Sequence, residues 1–176
     1  MQNRPDSEDS VQHSDEGVAR SRADAVAGDA ESQFGLAFSL AASQQNYAEA
    51  AEWYFKAADQ DHRLAQFNLG QMFAQGQGVT RNDATAVTWF RRAANGGDAG
   101  AQFNLADRYG RSSMTGSEMD VSESRIECYK WFKLAAAQGY GDALARSDSA
   151  TLRMTHEEVA EGNRRVTVFG EEAKSV

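Results

Sequence analysis

Apolar residues in the middle of the chain recur with the spacing of helix faces. In the stretch RLAQFNLGQMFAQ, residues 63–75, the apolar side chains on one helix face are Ala65, Leu69, Met72 and Phe73. In the next stretch, DATAVTWFRRAAN, residues 83–95, the corresponding face consists of Ala86, Trp89, Phe90, Ala93 and Ala94. The pattern predicts two consecutive amphipathic helices, and the many alanines allow them to pack closely.

Two short phrases occur three times each along the chain. One is SQFGLA, AQFNLG and AQFNLA, which contain Phe34, Phe67 and Phe103. The other is WYFKAA, WFRRAA and WFKLAA, which begin at Trp53, Trp89 and Trp131. Each of the first two tryptophans is followed by a phenylalanine 14 residues later, whereas the steps from phenylalanine to tryptophan are 19, 22 and 28 residues. Because surface loops accept insertions and packed joints do not, the spacing predicts three helix pairs of a helical solenoid.

Residues that commonly begin helices stand seven positions before each tryptophan. They are Asn46, Asn82 and Ser124. In NYAE and SRIE a glutamate follows three positions later, which is the pattern of a capping box. A further capping box, THEE, runs from Thr155 to Glu158 and predicts the start of a last helix.

The second repeat carries a specific motif: a small residue, Gln, an aromatic, Asn, Leu and Gly, then GxGV, Asp, AxxWxxxAA and Gly. The matching residues are Ala65, Gln66, Phe67, Asn68, Leu69, Gly70, Gly76, Gly78, Val79, Asp83, Ala86, Trp89, Ala93, Ala94 and Gly97. In these positions the chain resembles the Sel-one-like repeat family, a branch of the tetratricopeptide superfamily. The first repeat departs from the motif by lacking GxGV. The third departs by having Ala106 in place of Gly and a long segment, 110–124, that we expect to be a loop.

Repeats, caps and resemblance together predict an all-α fold, a right-handed α/α superhelix of about three helix-turn-helix repeats with a C-terminal capping helix. The predicted organisation is a disordered acidic tail over 1–22, repeats over 29–61, 62–97 and 98–139 within 23–139, capping helices over 140–169, and a loose tail over 170–176.

The net charge of −8 disfavours a nucleic acid partner, because an acidic chain repels phosphate backbones. The sequence has no signal peptide pattern, no basic amphipathic stretch and no apolar run of about 18 residues. We therefore expect a cytoplasmic protein with no membrane association, either a monomer or a weak homodimer.

No constellation of catalytic residues is recognisable, so we expect no enzymatic activity, no metal and no cofactor. Cys128 is the only cysteine and falls at a small, buried helix position, which favours a structural role. The lone cysteine also excludes the branch of the resembling family that closes each repeat with a disulfide. His62 and His156 are expected to be solvated, and GQGV, residues 76–79, is expected to be a turn and not a phosphate loop.

The repeated phenylalanine lies about 160° from the core-facing Leu69, taking about 100° per residue. Together with their neighbours, these rings form a stripe that is the candidate partner-binding surface: Phe34, Phe38, Phe67, Asn68, Gln71, Phe103, Asn104 and Asp107. In one interpretation the rings pack between successive repeats and the asparagines bond nearby backbone. In the other the rings contact a bound segment and the asparagines hold its backbone through their amide groups.

The function predicted from the resemblance is protein–protein interaction, an adaptor or scaffold that binds a partner segment in its concave groove. Asp107 is expected to favour positive charge in the ligand. The alternative is an immunity-type or inhibitor protein that blocks a partner enzyme with the loop 110–124.

Overall fold

The structure is a computed structural model and describes residues 22–43, 46–114 and 118–172. All regular secondary structure in these ranges is helical. The helices are α1 (22–27), α2 (Ala30–Ser43), α3 (Tyr47–Ala58), α4 (Arg63–Gln75), α5 (Asp83–Asn95), α6 (Ala99–Ser112), α7 (Glu118–Ala137), α8 (Ala143–Thr151) and α9 (His156–Glu172). The predicted acidic tail falls on residues 1–21, outside the described residues, whereas Arg22 already belongs to α1.

The chain divides into two compact units, with unit 1 ending at Asn82 and unit 2 beginning at Asp83. In unit 1, α3 packs between α2 and α4. Small side chains at the contacts, such as Ala37, Ala50 and Ala57, have no solvent exposure and let the helices approach closely. Tyr54 and Leu69 fill the remaining space, and Leu69 lies on the apolar face that the periodicity predicted for α4.

In unit 2, α6 packs on α5, and α7 contacts α6, α8 and α9. Phe90 and Leu105 are among the largest fully buried side chains. The contact of α9 with α7 is close at Gly162, because a Cβ atom there would lie 2.6 Å from Cδ1 of Tyr129. The Tyr129 hydroxyl donates a hydrogen bond to Oδ1 of Asn163 at 2.9 Å and fixes the same contact.

Two of the predicted helix starts carry the expected side-chain hydrogen bonds. The Asn46 side chain accepts from the Glu49 backbone N–H and donates to its carboxylate. Thr155 Oγ1 accepts from the Glu158 N–H at 3.2 Å, and the Glu158 carboxylate accepts from the Thr155 N–H at 2.7 Å. The capping box at Thr155 is confirmed, whereas at Asn46 only the N-cap is confirmed, because the Asn46 backbone N–H donates to the Leu40 carbonyl and not to Glu49.

The expectation that His62 is solvated is wrong. Its ring is mostly buried and serves as the N-cap of α4, with Nδ1 accepting from the Ala65 N–H at 3.2 Å. Nε2, which then carries the proton, donates to the Glu31 carboxylate at 3.0 Å. A histidine in this turn resembles a surface residue in sequence because its partner Glu31 is 31 residues away along the chain.

The predicted turn at GQGV is confirmed. Gly76 and Gly78 have φ angles of 73° and 68°, a region that side chains disfavour. Gly78 also needs to be glycine because a Cβ atom there would lie 2.2 Å from the Tyr47 carbonyl oxygen.

The predicted loop 110–124 is wrong. Helix α6 continues to Ser112 and α7 begins at Glu118, so Ser124 lies inside α7 and is not a helix N-cap. The extra turns of α7 are held by α9, because Arg165 of α9 donates to the carboxylates of Glu123 at 2.6 Å and Glu127 at 2.8 Å. Because most of the segment is helical, the inhibitor alternative, which requires 110–124 to be a loop, has no structural basis.

Two further features concern the C-terminal part and the membrane. Helix α9 continues through Glu172, past the predicted end at Phe169, and the Phe169 ring packs edge-on against Trp131 at 5.5 Å.

None of the described helices combines the length and apolar character needed to cross a membrane.

Candidate functional site

The glutamine that precedes each repeated phenylalanine is buried, which the motif alone did not predict. These core glutamines are Gln33, Gln66 and Gln102. Each donates from its side-chain amide to the carbonyl oxygen eight residues earlier, with N···O distances of 3.1 to 3.2 Å. The acceptors are Ala25, Ala58 and Ala94, so each bond ties the start of one helix pair to the end of the preceding helix.

Two of the core glutamines also accept a hydrogen bond from the end of their own repeat. Gln60 donates to Oε1 of Gln33 at 2.8 Å, and Gln138 donates to Oε1 of Gln102 at 3.0 Å. The donor and the acceptor of the buried amide are thus both used. The repeated glutamine therefore has a structural role. In the sequence, this role was indicated by the same polar residue recurring beside core alanines.

The ring of Phe34 packs inside unit 1. Its centroid lies 4.6 Å from His62, 5.8 Å from Tyr54 and 6.2 Å from Phe38. Phe38, one turn later in α2, is 57% exposed.

The ring of Phe103 has the corresponding surroundings in unit 2. Its centroid lies 5.3 Å from Phe132 and 5.5 Å from Tyr140, with the Arg146 guanidinium 5.6 Å away. Phe132 and Tyr140 occupy the same places after Trp131 that Tyr54 and His62 occupy after Trp53. Both half-buried phenylalanines therefore have packing partners within their own unit, and Phe67 is half-buried as well.

The two predicted asparagines bond their own helices. Nδ2 of Asn68 donates to the Leu64 carbonyl at 3.0 Å, and Nδ2 of Asn104 donates to the Gly100 carbonyl at 2.8 Å. Each bond uses one amide hydrogen. Among the described residues the Oδ1 atom of Asn68 accepts no hydrogen bond, so this side chain retains both a donor and an acceptor.

A pocket of about 210 Å³ in unit 1 brings Asn68 and Gln71 together. Tyr47 and Tyr54 also line it. Gln71 accepts from Nε2 of Gln75 at 3.1 Å through its Oε1 and keeps its own amide N–H groups available. The pocket thus combines aromatic walls with amide groups, the elements needed to hold a polypeptide backbone.

A larger pocket of about 370 Å³ lies in unit 2 around Asp107. The Asp107 carboxylate pairs with the guanidiniums of Arg111 and Arg146. Arg125 and Arg153 also line the pocket. The surroundings of Asp107 are therefore positively charged, whereas a negative charge was expected there to attract a positive ligand.

Cys128 lines the inner part of the unit 2 pocket, next to Phe132. Burial raises the pKa of the thiol to about 11, and the charge of Asp107 acts in the same direction. The thiol is therefore protonated near neutral pH, which agrees with a structural role.

Comparison with known proteins gives one family and several similar structures. The Sel1 repeat model matches residues 30–62, 63–98 and 99–140. No curated protein sequence matches this chain.

Among solved structures, the chain is similar to a protective antigen present in uropathogenic Escherichia coli strains that displays an SLR fold. The TM-score is 0.75 at 24% identity, over 89% of this chain and 34% of that one, so this chain spans about a third of that protein. It is also similar to a Sel1 repeat protein from Oxalobacter formigenes, with a TM-score of 0.65 at 29% identity, over 76% of this chain and 98% of that one. The predicted all-α helical-repeat fold is confirmed.

Proposed function

Because the chain belongs to the Sel1 repeat family, whose members are generally protein–protein interaction scaffolds, we propose that it is an adaptor for a partner protein. It binds an extended segment of that partner in the concave groove of a helical-repeat array. We further propose that it acts in the cytoplasm, as a binding module without catalytic activity.

The observation that carries this proposal is the pocket of unit 1. Asn68 and Gln71 both line it, and both retain hydrogen-bonding groups that no described residue uses. An amide that offers a donor and an acceptor side by side matches the N–H and C=O of an extended backbone. Phe38, exposed on α2 of the same unit, supplies an apolar surface for ligand side chains.

The proposal is tested by selecting peptide ligands for the whole chain from a random displayed library and measuring their affinity by fluorescence anisotropy. The variant Asn68→Ala/Gln71→Ala removes the free amide groups of the unit 1 pocket. We expect it to weaken binding about tenfold or more, the effect of losing a central anchor. Both side chains are partly exposed and bond only within α4, so the fold is expected to survive.

The matched control is Glu52→Ala, which changes an exposed residue of α3 outside the pocket. Its circular dichroism spectrum and peptide affinity should equal those of the unchanged chain. Equal affinity of the Asn68→Ala/Gln71→Ala variant for every selected peptide would remove the pocket of unit 1 from the binding surface.

A further inference from the structure

The pocket of unit 2 is surrounded by arginines although the chain as a whole is acidic. Four guanidiniums line it, from Arg111, Arg125, Arg146 and Arg153, against the single carboxylate of Asp107. They come from α6, α7, α8 and the turn that follows α8. In a chain of net charge −8, this concentration of positive charge is a local exception that favours an anionic ligand.

The arginines differ in how far their charge is already neutralised. Arg146 bonds Asp107 at 3.3 Å and Asp142 at 3.1 Å, and Arg125 lies 3.8 Å from Glu158. Arg153 is exposed and has no carboxylate partner among residues 22–43, 46–114 and 118–172. Arg111 pairs with Asp107 but its side chain stays 79% exposed, so Arg153 is the one pocket arginine without a carboxylate partner in these ranges.

The same pocket exposes large apolar side chains. Leu152 is 86% exposed and Met114 is 66% exposed, and both line the pocket. Phe132 and Cys128 form its inner wall. Exposed apolar side chains beside the unpaired Arg153 and the exposed Arg111 give a surface that is complementary to a ligand with an apolar body and negative charges around it.

We propose that this pocket binds an acidic segment of a partner protein, in which one large apolar side chain enters the pocket and flanking carboxylates pair with Arg111 and Arg153. The inference rests on the proposed adaptor function. It adds a second binding pocket, in unit 2, and states which chemical groups of the partner bind there. A volume of about 370 Å³ suits one large side chain with its neighbouring backbone. A nucleic acid fits less well, because its phosphates offer no apolar group for Leu152 and Met114, and the chain's net charge repels it.

The test uses the full chain and three short peptides with blocked ends. The first has one central leucine between glutamates, the second replaces the glutamates by glutamines, and the third replaces the leucine by glycine. Each is titrated up to about 5 mM, which covers the millimolar affinity of a short segment, while ¹H–¹⁵N spectra are recorded. We expect only the first peptide to bind with shifts centred on Gly110, Cys128 and Arg153, and its binding to weaken as salt is raised.

Two variants test the contribution of the arginines and that of the exposed apolar side chains separately. Arg111→Gln/Arg153→Gln is expected to weaken binding of the first peptide about threefold to tenfold, the range for two exposed ion pairs. Leu152→Ser is expected to weaken it about tenfold. Neither change removes a core contact, because all three side chains are exposed.

The matched charge control is Arg22→Gln/Arg164→Gln, which removes two exposed arginines that do not line the pocket. It should bind the first peptide as the unchanged chain does.

Four results would overturn the inference. Three of them are equal binding of the glutamine peptide and the first peptide, shifts that lie away from the pocket, and no binding of any peptide. The fourth, from a separate titration with decanoate, is binding of decanoate without binding of the first peptide. The last would assign the pocket to a small amphiphilic anion. The Asn68→Ala/Gln71→Ala variant keeps the two proposals distinguishable, since it should lose the library-selected peptides and still bind the acidic leucine peptide.

Discussion

At the residue scale, the glutamine of the repeated phrase is needed because its buried side chain hydrogen-bonds the backbone. A buried amide that donates to Ala94 and accepts from Gln138 leaves two polar groups unsatisfied when it is removed. We expect Gln102→Ala to lower the free energy of unfolding by about 2–3 kcal/mol, as the sum of lost hydrogen bonds and a small cavity. Urea denaturation measures this, and Gln75→Ala, an exposed glutamine bonded only within α4, should change it by less than about 0.5 kcal/mol. Similar losses in both variants would contradict the role of the buried amide.

The acidic groups around Arg165 make the C-terminal contact sensitive to acid. Hydrogen bonds from Arg164 and Arg165 lower the pKa of Glu161 from 4.5 to about 2, and the bond from Arg165 lowers the pKa of Glu123. A carboxyl whose pKa is lower in the folded chain stabilises that chain above its unfolded pKa. This contribution is lost as the pH falls from about 4.5 towards 2.

Carboxyl ¹³C shifts recorded across that range should follow the lowered pKa values of Glu161 and Glu123. Arg165→Gln should raise the pKa of Glu123 towards its ordinary value and reduce the loss of stability between pH 7 and pH 3. The charge-matched Arg22→Gln should leave both unchanged, because Arg22 pairs with Glu49 in unit 1. A Glu123 titration that Arg165→Gln does not move would show that the pair is absent in solution.

At the element scale, the close approach of α9 to α7 depends on Gly162. A methyl group there would meet the buried ring of Tyr129, so we expect Gly162→Ala to destabilise unit 2 by about 1–3 kcal/mol. Gly170 lies in the same helix, and a methyl group added to it would have nothing within 4 Å, so Gly170→Ala should instead stabilise the chain by about 0.5–1 kcal/mol. Thermal unfolding of both variants gives the comparison, and a stabilising Gly162→Ala would mean that α9 does not dock on Tyr129.

At the scale of the whole molecule, the sequence predicted what local patterns determine. The helix pairs follow from apolar spacing, and the starts at Asn46 and Thr155 follow from side chains that bond their own helix. The early start of α7 was missed because it depends on Arg165, which is 42 residues from Glu123 in sequence. The pocket of unit 2 was missed because its arginines are scattered over four segments and meet only after folding.

The core glutamines also constrain how a chain of this kind can change its length. Each joins a carbonyl eight residues earlier, and the bonds of Gln66 and Gln102 cross the boundary between two repeats. A gene duplication or deletion that spans one whole period carries a glutamine and an acceptor together, so every buried amide finds a partner at the new junction. One that changes the number of residues between acceptor and glutamine leaves both groups without their partner, and the product is unstable. Repeat number can therefore vary in relatives by whole periods, while the phase of the repeat stays fixed.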